Sequence, residues 1–208
     1  MNSMYRPPHF TISDQEAWDV IKEVGAGTLV LLAITGLESA YVPVIVSEDR
    51  QHLYSHLAKA NNWWRHVTTG DEVLALFVGA SAYVSPLYYP SRSENPNVVP
   101  TWNYVLVQVR GKIRIHDDAQ WKLEQVRSLT AHFEAEHDPP WRVDDMNEDF
   151  RSHQISAIVG IEIEVLSVEG KGKLSQNRPE VDQRSVQSHL EDGSLAEQIT
   201  ADRMKRLP

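Results

Sequence analysis

The run Val159–Leu174, VGIEIEVLSVEGKGKL, places apolar residues at alternate positions, the period of a strand with one buried face. It is one of several such runs, and their order along the chain limits the fold more than any one of them does. TLVLLAIT from Thr28, SAYVPVIVSED from Ser39 and HLYSHL from His52 follow one another closely. EVLALFVG and SAYVSP come next, read as two strands joined by a tight turn at Gly79. The longest β-like run is TWNYVLVQVRGKIRIHDD from Thr101, with Gly111 as a bend or bulge. Strands thus cluster in the first half and arrive singly later, with helices between them and at both ends. That order suits a small antiparallel barrel with peripheral helices better than a βαβ array.

The helices carry their own punctuation. Ser13 and Glu16 have capping-box spacing, with Ile12 as the staple residue, and Gly25 and Gly27 close the helix that follows. Pro43 marks an edge strand or a bulge. From Ala60, the positions of Trp63, Trp64 and Val67 predict a helical face. Asp117 and Asp118 cap a helix beginning AQWKLEQV, and DDMNEDFRSHQISAI holds another. Two terminal helices, over about 179–206, divide at Gly193. Residues 86–100, rich in Pro, Ser and Asn, form a loop long enough to suggest a role over a site.

Composition bounds the chemistry. At 208 residues and 41% hydrophobic, the chain fits one domain with appendages, residues 1–208, and can bury a substantial core. The formal charge of −9 opposes non-specific binding to phosphate backbones, and the lack of cysteine removes disulfides, thiolate catalysis and iron–sulfur clusters. The first ten residues do not read as a targeting peptide, and no apolar run is long enough to span a bilayer, so the expected location is the cytoplasm. None of the nine histidines falls in a metal-binding spacing, and neither G-x-G-x-x-G, a Walker sequence nor G-x-S-x-G occurs.

Three stretches are candidates for chemistry. At HLYSHLAKANNWW, a strand delivers Ser55 and His56 to the expected start of a helix near Ala58, where unpaired amides, Lys59 and Asn61 suit a phosphate or carboxylate. The alternative is a solvated turn with the tryptophans in the core. In VPTWNYV, Trp102 beside Asn103 suits a flat heteroaromatic ligand, or else anchors the preceding loop. In KGKLSQNRPE, Ser175, Gln176, Asn177 and Arg178 form either an ordinary turn or a cationic, amide-rich wall.

MYRPPHF, SHLAKAN, AYVSPLYY, VPTWNY, AIVGIEIEV and GKLSQNR occur in one order over nearly the whole chain. That order resembles the PaiB family of FMN-binding negative transcriptional regulators. The resemblance implies a mainly β, dimeric split barrel with peripheral helices, of the pyridoxamine-phosphate-oxidase and flavin-reductase kind, with FMN at the subunit interface. By the same resemblance Thr28, Leu29 and Val30 are backbone contacts to the flavin ring, and Ser55, His56, Ala58, Lys59 and Asn61 hold its phosphate. Trp102, Asn103, Lys173, Gln176, Asn177 and Arg178 approach the flavin or the open face above it. Related oxidases carry Arg in the phosphate cradle; His56 and Lys59 here imply less fixed charge. DNA enters as a partner only through the regulatory role. The other readings are a flavin-dependent oxidoreductase and a haem-binding or haem-degrading protein.

Overall fold

The capping box forms as the spacing predicts. In the computed structural model, which describes residues 4–206, Ser13 N donates to Glu16 Oε2 at 2.7 Å and Glu16 N donates to Ser13 Oγ at 3.2 Å. Helix α1, Asp14–Val24, follows and stops at Gly25, whose φ of +67° is the left-handed conformation that glycine adopts without strain. Part of the targeting-peptide reading, at residues 1–3, lies outside the described residues.

Contacts divide the chain into two compact units. The first comprises Met1–Val20, Val78–Gln108 and Glu169–Pro208; the second comprises Ile21–Phe77 and Val109–Val168. The strands are β1 (Ala26–Ala33), β2 (Gly36–Pro43), β3 (Ile45–Val46), β4 (His52–Ala58), β5 (Glu72–Val84), β6 (Thr101–His116) and β7 (Ile158–Lys173). They form one sheet in the order β2-β1-β5-β6-β7-β4-β3.

That order dictates closure within the second unit. β2 and β3 stand at opposite ends of it, yet only Val44 separates them in the chain. Two edges joined by one residue require the sheet to curl round on itself as a barrel. Ser55 Oγ on β4 donates to Pro43 O at 2.5 Å across this seam, and Val44 N donates to Gly25 O at 2.8 Å. Pro43, which has no N–H to give a ladder, sits at the end of the edge strand, where that lack costs least. Leu29, Leu31, Val42, Leu53, Phe77, Ile161 and Ile163 fill the interior.

Two expectations are corrected, and a third segment is located. β5 is one strand running through Gly79, not two joined by a turn there. After β4 comes no long helix, only a 3₁₀ turn at Asn62–His66, because Asn61 Oδ1 accepts from Trp63 N and Trp63 is buried at once. The 86–100 segment, in the first unit, is pinned down: Tyr89 is buried with Val186, Leu190 and Ala201, and Ser91 donates through N and Oγ to the Asp182 carboxylate at 3.0 and 2.6 Å. Those partners belong to α4 (Glu180–Glu191) and α5 (Leu195–Arg206). The second unit carries α2 (Ala119–Phe133), capped by Asp118 accepting from Trp121 N, and α3 (Glu148–Ser156), capped by Asn147 accepting from Phe150 N.

Candidate functional site

Strand alternation sorts the residues of β4. Leu53, Ser55 and Leu57 are buried, whereas His52, Tyr54 and His56 take the opposite, half-buried side. Ser55 is therefore spent on the seam through its bond to Pro43 O. His56 Nδ1 lies 3.0 Å from Gln125 Oε1 on α2, and burial holds the imidazole below its ordinary pKa, partly offset by that hydrogen bond. His56 is accordingly neutral near pH 7 and adds no fixed charge. Gln125 Nε2 is buried and has no partner among the described residues, leaving a donor in reserve beside it.

Lys59 stands just beyond β4 and is held from both sides: its N donates to Ala157 O at 2.8 Å and its O accepts from Trp64 Nε1 at 3.1 Å. Its ammonium meets Asp117 Oδ1 at 2.7 Å, and the same oxygen accepts from Lys122 Nζ at 2.8 Å. Lys122 is buried, and it also donates to Ile158 O at 3.2 Å. Hydrogen bonds from Lys122, then Lys59, lower the Asp117 carboxyl from its ordinary pKa. Two cations on one carboxylate leave a net positive charge at the rim, where Ala58 and Asn61 are exposed. Asn61 uses its Oδ1 on Trp63 N and keeps its amide N–H donors.

β1 offers less than expected. Thr28–Leu31 lie in register with β2 on one side and with Leu76–Val73 of β5 on the other, so their backbone N–H and C=O groups are directed into ladders. Leu29 is buried; Thr28 and Val30 present half-buried side chains. What β1 can give a ligand is thus a side-chain surface, not backbone bonds.

Trp102, Asn103 and Lys173–Arg178 come together in the first unit. Asn103 is buried, with Oδ1 accepting from Ser175 Oγ at 3.0 Å and Nδ2 directed at Met204 Sδ at 3.4 Å. Ser175 reaches this bond through a φ of +69°. Gln176 folds back, with Oε1 accepting from Leu174 N and Nε2 donating to Gly172 O, both at 2.6 Å. Lys173 donates to Trp102 O at 2.8 Å and to Thr101 Oγ1, and desolvation, then Arg178 and Lys171, push its pKa down. Arg178 lies over the Tyr89 ring at 4.7 Å. Only Trp102, 55% exposed and edge-on to Tyr83, and Asn177 keep open faces. Sequence reasoning missed Gln125, Lys122 and Arg151. The first two sit within α2, where polar residues read as a solvated face, and nothing in their spacing signals β4.

The family model described as "Putative FMN-binding domain" matches residues 4–167. The chain belongs to this FMN-binding family. FMN is therefore its cofactor class, and the match ends before α4 and α5 begin. The protease synthase and sporulation protein PAI 2 of Bacillus subtilis is 29% identical over 192 residues, covering 91% of this chain and 90% of that one. An uncharacterized protein of Emericella nidulans, AN0679, is 35% identical over 133 residues, 59% of this chain and 53% of its own. Among solved structures, the FAD and haem binding protein of Mycobacterium smegmatis superposes with a TM-score of 0.57 at 11% identity, covering 77% of this chain and 71% of that one. The flavocytochrome Anf3 of Azotobacter vinelandii gives 0.56 at 12% identity, covering 78% and 69%. At such identities these likenesses bear on the fold, and they agree with a split barrel.

The residues present fit FMN in kind. In the second unit, an ammonium, free amide donors and a reserved buried donor suit a phosphate.

Proposed function

We propose that this protein is a cytoplasmic, homodimeric FMN-binding split barrel of the PaiB type that acts as a negative transcriptional regulator. The observation that carries the cofactor part is the seam-closed barrel with a net-positive β4 rim, in a chain of the FMN-binding family. Lys59 and Asn61 would hold the phosphate, and His56 with Gln125 would back it. Bound FMN supplies reversible electron transfer; the protein positions it and shapes the space above it. The regulatory part rests on the likeness to PAI 2, whose name ties that protein to protease synthesis and sporulation.

A second reading, a flavin-dependent oxidoreductase, is favoured by one feature of the first unit. At the basic end of α5, Lys205 is already committed to Glu191 at 2.8 Å and Asp202 at 3.0 Å, which reduces what that helix end offers a phosphate backbone. The first test is an absorbance spectrum of the purified protein with FMN titrated under gel filtration. One FMN per subunit on a dimer-sized species supports the reading, and a colourless species that takes up no FMN overturns it. Salt-dependent DNA binding by the loaded protein then separates regulator from enzyme, and bleaching by a reduced nicotinamide nucleotide is expected only of the latter.

A further inference from the structure

The second unit contains a cleft of about 410 Å³ between α2 and α3 that Lys59 borders and that extends well past β4. Arg151, Ser152, Ile155 and Ser156 of α3 line it at the i, i+1, i+4, i+5 spacing of one helical face. Its charged lining is Lys59, Lys122 and Arg151 against Asp117 alone. Three cations facing one carboxylate in a chain of formal charge −9 is a local reversal of sign. The charges are also arranged for use. Lys122 shares Asp117 with Lys59 and so offsets the one negative group in the lining. Arg151 spends NH1 on Asp144 at 3.0 Å, but Asp144 is already gripped by Arg127 through Nε at 3.1 Å and NH2 at 2.5 Å. The remaining N–H groups of Arg151 have no other partner among the described residues, and Ser152 adds an exposed hydroxyl.

We propose that this cleft binds a phosphoryl dianion, with Arg151 and Lys59 as its two cations. Arg151 then supplies, from a helix, the guanidinium that β4 lacks and that neutral His56 does not replace. The proposal rests on the FMN reading only for the source of the phosphoryl group, which is either the cofactor or a separate phosphorylated small molecule. Arginine suits the task because its planar fork meets two oxygens at once.

Calorimetric titrations with FMN, riboflavin and inorganic phosphate distinguish the cases. Arg151→Gln is expected to weaken FMN and phosphate by about 10- to 100-fold, the worth of one charge-assisted bond, while riboflavin, which has no phosphate, binds as before. Arg127→Gln, which leaves the Asp144 carboxylate to Arg151 alone, should weaken FMN and phosphate by a smaller factor than Arg151→Gln and leave riboflavin unchanged. Should Arg151→Gln fold poorly, Ser152→Asp puts a repelling charge on the exposed rim and is expected to cause a similar loss. Arg151-dependent phosphate binding in a protein that takes no FMN would keep the cleft and defeat the cofactor reading. Arg151-dependent phosphate binding with Arg151-independent FMN binding would assign the cleft to a separate ligand. Affinities for FMN and phosphate that ignore Arg151 and Ser152 alike, or no phosphate binding at all, would overturn the proposal.

Discussion

The cluster around Asn103 in the first unit and the junction around Lys59 in the second are both built from polar side chains at strand ends, but they spend their hydrogen bonds differently. Around Asn103 almost every donor and acceptor is answered inside the chain: Ser175 on the amide, Gln176 on its own turn, Lys173 on the carbonyl of Trp102. Around Lys59 the backbone is fixed while the outward groups are left over-supplied with positive charge and free amide donors. A buried polar group that is answered internally specifies the fold. A rigid backbone presenting unanswered donors at a rim is prepared for a ligand.

The sharpest way to break this comparison is Asn103→Leu. It strands the Ser175 hydroxyl in a buried position, and the expected loss is about 2–3 kcal/mol of stability, read as a lower urea midpoint. A wild-type midpoint would show that the cluster is not structural. Lys59→Ala should do the reverse. Its partner Asp117 is largely exposed, so stability hardly moves, whereas FMN affinity falls by about 1.5–3 kcal/mol in a fluorescence titration. Unchanged affinity would remove the rim from the phosphate. Ser55→Ala leaves Pro43 O unanswered at the seam and is expected to cost about 1–2 kcal/mol of stability, with hydrogen exchange quickening first in β3 and β4. The smallest effect belongs to His56. Its folded pKa lies below the unfolded one, so the unfolded chain binds the extra proton. The stabilising contribution of the neutral ring is complete above about pH 6.5, the unfolded value, and is lost as pH falls toward the folded pKa. Urea midpoints of wild type and His56→Gln should therefore run parallel above that pH, with the wild type falling faster below it.

Much of this was legible in the chain. Alternation located β1, β2, β4, β6 and β7, and the Ser13–Glu16 and Asp118 caps marked α1 and α2, because these signals are local and the structure does not override them. Gly79 misled, since a glycine can also lie within a continuous strand, and here a Cβ would meet Val105 Cβ at an ordinary 3.4 Å, so neither a turn nor packing requires it. The tryptophan spacing misled for a similar reason, as burial of Trp63 is achieved by a single 3₁₀ turn. Of the site, the residue types at β4 were readable, but their directions were not. Whether Ser55 faces the seam, or His56 faces Gln125, depends on register and on a helix far along the chain.

The one-residue link at Val44 has a consequence for how the chain reaches its fold. β1 with β2, and β3 with β4, are hairpins between near neighbours, so each can form from local contacts. β4, however, lies against Ile158–Glu164 of β7, about a hundred residues later in the chain, and contacts of that separation form slowly because a long loop must close first. Until β7 arrives, the hairpin on the far side of Val44 carries an open strand edge of the kind that recruits other chains. Closing that edge therefore depends on the pairing of greatest sequence separation among those made by β4, not on the short link that joins the two hairpins.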